Sequence, residues 1–446
     1  MPELEPQAGR VAKPPLVPSP STTPPPSRLD VTLHQFLMGA HSATPRYQPP
    51  AGLSLPAPPY PRFPALAATA GEDLNSPPHR TPPERHWTIP QIYRGLRGWM
   101  FPYVRSRLLP GDFHPIIAYL FTEWKCNLDC HYCWAYNNSV KGMTEPVARA
   151  ALDWLSDRGT GVLALMGGEP LLRPQFVHKV VDYAAKKGMW VYLPTNGRLL
   201  RPEVIDWLGD AGVATVNLAV DSVAIKPSLP KALAPIRNYF NYLIKRQYRY
   251  GFTVFFNINI CRNNLVDVRE LTEIAHDSGI STDYHINESP MTEHGDFKHL
   301  ERNETYITRD DWPRVDETID WIIAKNRAGY KMVDSVQRLE QMKRFMRGEQ
   351  GPWPCRAGQN SLIVRVDGTL APCFPLYSAS HDWGTVGHHK FVVEELTAMK
   401  QSCSLSCFST LNHNLAMAYD DARVIKYLVK QARHGFQGVT GSMDQG

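Results

Sequence analysis

The chain has 446 residues, of which 43% are hydrophobic and 20% are charged, and its formal net charge is +5. This length accommodates one large catalytic domain and a smaller one. The slight positive charge forms no long basic run, which argues against a nucleic-acid-binding protein, and no apolar stretch is long enough to cross a bilayer.

The N-terminal region, residues 1–85, is rich in Pro, Ser, Ala and Thr and contains the run Pro24, Pro25 and Pro26. Such a composition buries too little apolar surface to offset the entropy of ordering, so we expect a disordered tail. A docking arm for a partner that binds polyproline is the alternative. The chain start has neither the basic nor the apolar region of a signal peptide, which predicts a cytoplasmic location.

Residues 86–111 are rich in aromatic and basic side chains. We expect a linker with a short helix that caps one end of a barrel, and a helix lying on a membrane surface is the alternative. Pro102 is expected to interrupt any long helix here.

From residue 112 to residue 308, strand-like runs alternate with helical runs. The predicted strands are Ile116–Phe121, Val162–Met166, Trp190–Leu193, Thr215–Val220, Thr253–Ile260 and Thr282–Ile286. The predicted helices are Glu145–Leu155, Gln175–Lys187, Pro202–Leu208, Leu233–Arg249 and Val266–Asp277. This alternation predicts an α/β fold with a parallel sheet, arranged as a partial (βα)6 TIM-like barrel with functional loops at the C-terminal strand ends.

Three cysteines, Cys126, Cys130 and Cys133, lie on one short loop directly after the first predicted strand. Thiolates are the usual protein ligands of iron-sulfur clusters, and three of them leave one iron of a four-iron cluster free for another ligand. A zinc site is the alternative, because Cys130 and Cys133 alone have the spacing of half a zinc cage. Clustered cysteines in a reducing compartment favour metal binding over disulfides.

Polar residues follow the next three predicted strands. The second strand ends in Gly167, Gly168, Glu169 and Pro170, where glycines let the backbone approach a ligand and a carboxylate can accept hydrogen bonds from an ammonium group. The third ends in Thr195, Asn196 and Gly197, for which a simple turn is the alternative. On the fourth, Asn217 and Asp221 face one side, and Asp221 suits ribose binding, substrate binding or helix capping. Further candidates are Asn257, Asn259, Asn263 and Asn264.

A second set of cysteines comprises Cys355, Cys373, Cys403 and Cys407. Asp367 and Gly368 indicate a hairpin turn that brings Cys355 and Cys373 toward each other. Four thiolates are enough to fill one cluster, and a structural zinc site is again the alternative. The eighth cysteine, Cys261, is expected to be a buried small hydrophobic residue.

The remaining segments are assigned by composition. Residues 288–303 form a polar loop that is either functional or mobile. Residues 309–350 are a helical connector with helices at 312–325 and 335–346, residues 351–410 a cysteine-rich domain, and residues 411–446 a C-terminal helix and tail. His413 and His434 are expected in the core or on the surface rather than as ligands.

The first cysteine loop, with Tyr132 in its aromatic position, resembles the signature loop of the radical S-adenosylmethionine (SAM) enzymes. Residues 167–170 resemble the motif that holds the SAM amino group in that family. The resemblance implies a 4Fe-4S cluster whose open iron chelates SAM, with Tyr132, Asn196, Asn217 and Asp221 among the cofactor contacts. Reductive cleavage of SAM would then give a 5′-deoxyadenosyl radical that abstracts hydrogen from a substrate.

The second cysteine set resembles the SPASM and twitch extensions of these enzymes. SPASM domains have seven cysteines, so four fit the shorter twitch type with one auxiliary 4Fe-4S cluster. The resemblance implies an electron donor such as flavodoxin or ferredoxin and oxidation or rearrangement of a small molecule, cofactor or natural product. A peptide-modifying maturase and a non-catalytic zinc or iron-sulfur scaffold are the alternatives. No catalytic acid or base is identified by the sequence.

Overall fold

The structure is a computed structural model that describes residues 93–109, 113–133, 138–286, 303–377, 381–404, 407–409, 412–413 and 415–416. The predicted N-terminal tail, nearly all of the 288–303 loop, the C-terminal helix after residue 416 and His434 lie outside the described residues. Among the described residues, no helix combines the length and apolarity that crossing a bilayer requires.

The fold is organised around one mostly parallel sheet. Its strands are β1 (Ile117–Glu123), β2 (Val162–Gly167), β3 (Trp190–Thr195), β4 (Thr215–Ala219), β5 (Thr253–Ile260), β6 (Ser281–Ile286), β7 (Ser361–Val364) and β8 (Leu370–Ala371). Their order in the sheet is β6-β5-β4-β3-β2-β1-β7-β8. Each of the first six strands begins within one residue of its predicted start. The predicted α/β fold with a mostly parallel sheet is confirmed.

Helices connect the strands. They are α1 (Phe101–Leu108), α2 (Glu145–Asp157), α3 (Pro174–Lys186), α4 (Pro202–Ala211), α5 (Arg237–Tyr250), α6 (Leu265–Asp277), α7 (Trp312–Arg327), α8 (Val336–Met346) and α9 (Val393–Cys403). A short hairpin of β9 (Gly384–Thr385) and β10 (His388–His389) precedes α9. The helix predicted from Leu233 instead begins with a 3-10 turn, Ala234–Ile236, before α5.

The two faces of the sheet differ in what they bury. Alternating apolar residues, such as Leu163, Val191 and Phe256, pack with the helices in the main hydrophobic core. On the opposite face, Tyr119 and Phe121 pack with residues that follow β8, including Phe374. We call this second surface the inner face, and its β4–β6 portion is polar.

The hairpin of β7 and β8 joins the main sheet, an arrangement that the sequence does not predict. Strand β7 pairs parallel to β1, from Ile117 opposite Ser361 to Leu120 opposite Val364, and β8 returns antiparallel to β7. Gly368 turns the hairpin with a φ of +87°, which glycine adopts without steric cost. The strand that leads into the first cysteine set therefore pairs with a strand of the hairpin that precedes Cys373.

The helical segment before β1 contacts the end of the sheet opposite the cysteine loop. A π-helical turn, Leu96–Met100, leads directly into α1, so the expectation that Pro102 interrupts the helix is wrong. Pro102 lies in the first turn of α1, where a missing backbone N–H is tolerated. A Cβ atom on Gly98 would lie 3.0 Å from the carbonyl oxygen of Gly161, just before β2.

Candidate functional site

The first cysteine loop leaves the carboxyl end of β1 and is fixed by hydrogen bonds from distant parts of the chain. Cys126 N donates to Asn138 Oδ1 at 3.0 Å, and Cys133 N donates to the Cys130 carbonyl at 3.0 Å. The carbonyl of His131 accepts from Asn303 Nδ2 at 2.9 Å. A residue shortly after the loop and a residue about 170 positions further along the chain thus hold the loop in place.

The thiols of this loop lie in a low-dielectric environment. Burial, followed by the nearby Glu169 carboxylate, raises the pKa of Cys126 to about 12. Burial also raises the pKa of Cys130 well above its usual range, while the ammonium group of Lys231 acts in the opposite direction. Ionised thiolates here therefore require compensating positive charge, as a metal centre provides when it displaces the thiol protons.

Glu169 connects the strand ends around the loop. Its Oε1 accepts hydrogen bonds from Leu171 N at 3.0 Å and Thr195 Oγ1 at 2.8 Å, and its Oε2 accepts from Asn196 N at 2.8 Å. Burial raises the pKa of this carboxyl group, although the three hydrogen bonds favour its ionised form. A carboxylate can accept about four hydrogen bonds, so Glu169 retains capacity for one further donor.

Asn196 ties this carboxylate to the cysteine loop. Its Nδ2 donates to Asn127 Oδ1 at 2.8 Å, and its Oδ1 accepts from Arg198 N at 3.1 Å. The second bond has the geometry of a local turn, which was the alternative for residues 195–197. The first bond contacts the cysteine loop, so both features are present. Asn196, Glu169 and the loop form one connected polar unit at the ends of β1, β2 and β3.

The two glycines before Glu169 serve backbone packing. A Cβ atom on Gly167 would lie 1.8 Å from the Glu123 carbonyl oxygen, and one on Gly168 would lie 2.2 Å from the Lys125 carbonyl oxygen. The sequence interpretation assigned these glycines to close approach of a ligand. The structure shows close approach of the strand leading into the cysteine loop, so the glycines set the distance between Glu169 and Cys126.

The same residues carry a family signature. Residues 125–285 match the Radical SAM superfamily. The matched residues contain the cysteine loop, Glu169 and all of strands β2–β5.

Curated relatives share the domain but not the full length. The AdoMet-dependent heme synthase of Methanosarcina barkeri (strain Fusaro / DSM 804) is 30% identical over 169 residues, which cover 36% of this chain and 47% of that protein. The S-adenosylmethionine-dependent nucleotide dehydratase of Flammeovirga pacifica is 25% identical over 188 residues, covering 39% of this chain and 62% of that protein. The chain thus spans less than two thirds of either relative.

Among solved structures, a crystal structure of Streptococcus suis SuiB bound to S-adenosylmethionine aligns with a TM-score of 0.49 at 12% identity. The alignment covers 66% of this chain and 68% of that one.

A third polar group extends the candidate site beyond Glu169. Tyr132, on the cysteine loop, donates its hydroxyl to Asp221 Oδ2 at 2.5 Å and accepts from Lys231 Nζ at 2.9 Å. Asp221 Oδ1 accepts from Asn259 N at 2.9 Å. Lys231 was not predicted from the sequence, because a single lysine after a proline carries no signal of its position. Its charge lies near all three cysteine thiols.

The predicted asparagines after β5 have different surroundings. Asn264 is buried, with Nδ2 donating to the carbonyls of Asp221 and Asn259 and Oδ1 accepting from Cys261 N, each at 2.8 Å. These bonds connect the segment that follows β4 to β5 through Asn264. Asn263 Nδ2 donates to Ser228 Oγ at 3.0 Å. Cys261 is fully buried, as expected of a small hydrophobic residue.

The second cysteine set is brought together around the β7–β8 hairpin. The other three thiols, those of Cys355, Cys373 and Cys403, all act on the pKa of Cys407, which burial raises well above its usual range. Two thiols accept backbone hydrogen bonds, Cys355 Sγ from Ala357 N at 3.5 Å and Cys407 Sγ from Ser409 N at 3.3 Å. Such bonds are a means by which proteins tune iron-sulfur clusters.

Within the described ranges, no three side chains of His, Cys, Asp or Glu converge on one point that could hold a single metal ion. The ligand roles of both cysteine sets are therefore proposals. His413 lies in the core near Trp353 and Phe408, with ring centroids 5.0 Å and 4.4 Å away, as expected.

The inner face of β4–β6 carries a further polar cluster. Asn217 donates to the Tyr192 hydroxyl, and Asn257 Nδ2 lies 2.9 Å from His285 Nε2. His285 Nε2 is also 3.2 Å from Asp283 Oδ2, and Arg338 of α8 pairs with both Asp283 and Asp334. Alternating polar residues in β5 and β6 could have indicated this face, whereas Arg338 lies too far along the chain for its contact to be foreseen.

Proposed function

We propose that this protein is a radical SAM enzyme that cleaves S-adenosylmethionine and abstracts hydrogen from a substrate. The observation that carries the proposal is the connected unit of the cysteine loop, Asn196 and Glu169, which joins the ends of three adjacent strands. A match to the Radical SAM superfamily over residues 125–285 supports it.

The residues present suit the implied group. Three thiols on one loop, one buried and two half-buried, with Lys231 beside them, have the donor chemistry of an iron-sulfur site. When bound, a 4Fe-4S cluster with one open iron supplies the electron that cleaves SAM to a 5′-deoxyadenosyl radical. Glu169, with capacity for one more donor, is positioned to accept from the SAM ammonium group. Asp221 and Tyr132 orient the loop around the remainder of the cofactor.

The second cysteine set is proposed to hold one auxiliary 4Fe-4S cluster that transfers electrons or anchors substrate. We propose the twitch type for residues 351–410 and a partial (βα)6 barrel for residues 112–308. An electron donor such as flavodoxin or ferredoxin would supply the reaction. The curated relatives include an AdoMet-dependent heme synthase, which supports a small-molecule or cofactor substrate.

Anaerobic reconstitution with iron and sulfide, followed by incubation with SAM and dithionite, tests the proposal. We expect roughly eight irons per chain and release of 5′-deoxyadenosine, measured by iron analysis and mass spectrometry. Replacing Cys126, Cys130 and Cys133 together with Ala should abolish cleavage and leave about four irons.

Cys261→Ala provides the matched control, because Cys261 is a buried cysteine that belongs to neither set. It should retain the full iron content and cleavage. Stoichiometric zinc without SAM cleavage in the wild type would refute the enzyme and favour a metal-binding scaffold. Cleavage that survives the triple substitution would refute the assignment of the loop.

A further inference from the structure

The polar cluster of the inner face lies beside the proposed SAM site and includes Asn217, which the resemblance to radical SAM enzymes also makes a candidate cofactor contact. Strand register places Asn257 opposite Asp283, and Asn259, whose backbone contacts Asp221, opposite His285. This part of the cluster therefore lies on β5 and β6, next to the contact between Tyr132 and Asp221. Its Asn257–Asp283 pair is two residues closer to the amino ends of these strands than the Asn259–His285 pair. Asn257 and His285 are half-buried, so solvent reaches this surface.

The guanidinium of this cluster is already paired. Arg338 is 2% exposed, and its Nη1 lies 2.6 Å from Asp334 Oδ1 and 3.4 Å from Asp283 Oδ1. Its Nη2 donates to the Tyr284 carbonyl at 3.1 Å. Two carboxylates thus face one guanidinium in the cluster, and an anionic ligand would not find that guanidinium free.

The groups that this cluster leaves open are mainly hydrogen-bond acceptors. Asn217 is 98% buried, and its Oδ1 has no hydrogen-bond partner within the described residues. Two buried carboxylates, Asp283 and Asp334, are also available to this surface with a single guanidinium between them. Buried acceptors without partners are costly, so a ligand that supplies donors is favoured at this surface.

Aromatic rings stand next to these acceptors. Tyr192 and Phe255 have ring centroids 5.6 Å apart, and on the β1 side Tyr119 and Phe374 are 5.0 Å apart. Phe255 lies opposite Asn217 in the sheet register. The inner face therefore combines a flat apolar portion with an acceptor-rich, acidic portion.

We propose that the inner face binds the substrate through a donor group, an amine or ammonium attached to a flat apolar body, rather than through a carboxylate. This inference rests on the proposed function, since it names the substrate class of that enzyme. Asn217 Oδ1 accepts from the donor group, and Asp283 supplies the matching charge beside the half-buried Asn257 and His285. Arg338 is a positioning residue that holds Asp283.

A matched pair of probes tests the charge preference. Tryptamine and indole-3-propionate have the same ring and similar length but carry an ammonium and a carboxylate, respectively. Equilibrium dialysis against the reconstituted full-length protein with SAM measures both affinities. We expect saturable binding of tryptamine, at least tenfold tighter than binding of indole-3-propionate.

Variants locate the binding surface. Asp283→Asn should reduce the preference at least fivefold, and Asp182→Asn, the same change on an accessible carboxylate of α3, should leave it unchanged. Because Asp283→Asn disturbs a buried ion pair, His285→Gln at a partly exposed position provides an independent test, with the same expected loss for tryptamine.

The outcomes separate this inference from the proposed function. Equal affinities, a preference for the acid, no saturable binding of tryptamine, or a preference unchanged in His285→Gln would overturn the inference. The same samples are assayed for 5′-deoxyadenosine in the absence of probe. Cleavage without the charge preference overturns only the inference, whereas the preference without cleavage overturns only the proposed function.

Discussion

Gly167→Ala is the sharpest test of how the end of β2 sets the distance between Glu169 and the cysteine loop. The added Cβ would lie 1.8 Å from the Glu123 carbonyl oxygen and 2.8 Å from its carbonyl carbon, both backbone atoms that no rotamer change can move. The φ of +151° adds conformational strain. We expect about 1–3 kcal/mol from overpacking and about 1–2 kcal/mol from strain, or about 2–5 kcal/mol together.

In a chain of this size, about 1 kcal/mol shifts Tm by roughly 2 °C, so Gly167→Ala should lower Tm by about 4–10 °C. Differential scanning calorimetry of the wild type and the variant measures this. Gly329→Ala is the control, because Gly329 also has a positive φ, +96°, but a Cβ there meets no atom within 4 Å. It isolates the strain of about 1–2 kcal/mol and should lower Tm by about 2–4 °C. If Gly167→Ala were no more destabilising than Gly329→Ala, the close approach to Glu123 would not constrain the fold.

Two further predictions concern single side chains. Glu169→Gln should raise the Kd for SAM about tenfold or more in equilibrium dialysis, because an amide cannot accept all three hydrogen bonds that the carboxylate accepts. The control, Glu145→Gln on the exposed face of α2, should leave the Kd unchanged. Equal Kd values for the wild type and Glu169→Gln would show that the carboxylate is dispensable. Burial lowers the pKa of His413 to about 3 from 6.5, so the unfolded chain binds more protons between these values and stability falls as the pH drops below 6.5. The unfolding free energy should fall by about 2 kcal/mol at pH 5, as measured by urea titration. His413→Asn should lack this fall, whereas the control His388→Asn, at an exposed position, should keep it. The same pH dependence in the wild type and His413→Asn would contradict the burial argument.

Local sequence patterns were sufficient to predict the α/β core. The six strands from β1 to β6 alternate with helices, and apolar residues in alternate strand positions identify them without knowledge of the partners. The pairing of β7 with β1 was not predicted, because a parallel contact between segments more than 200 residues apart has no local pattern. Pro102 was misjudged because a π-helical turn precedes it, and such turns are rare enough to be missed.

In the candidate site, too, local patterns were predicted and contacts between distant segments were not. The cysteines, Glu169 and Asp221 were selected from spacing and position after strands, and the structure places Glu169 and Asp221 in contact with the polar groups around the loop. Lys231 and Arg338 were missed, because each acts through a side chain that crosses from another element to a carboxylate or hydroxyl. The approach of the paired glycines to backbone atoms of Glu123 and Lys125 was not predicted, since those atoms lie more than 40 residues earlier in the chain.

The strand order explains how two cysteine sets that are far apart in sequence are connected to neighbouring strands. Strand β1 leads into the first set, and its neighbour β7 precedes Cys373 through β8. Aromatic rings fill the space between them: Trp124, two residues before Cys126, stacks on Tyr377 with centroids 4.5 Å apart and planes 10° apart. Phe121 contacts both Tyr377 and Phe374, the residue after Cys373. Aromatic packing on the inner face therefore joins the segments that carry the two cysteine sets, because each segment contributes rings to the same buried cluster.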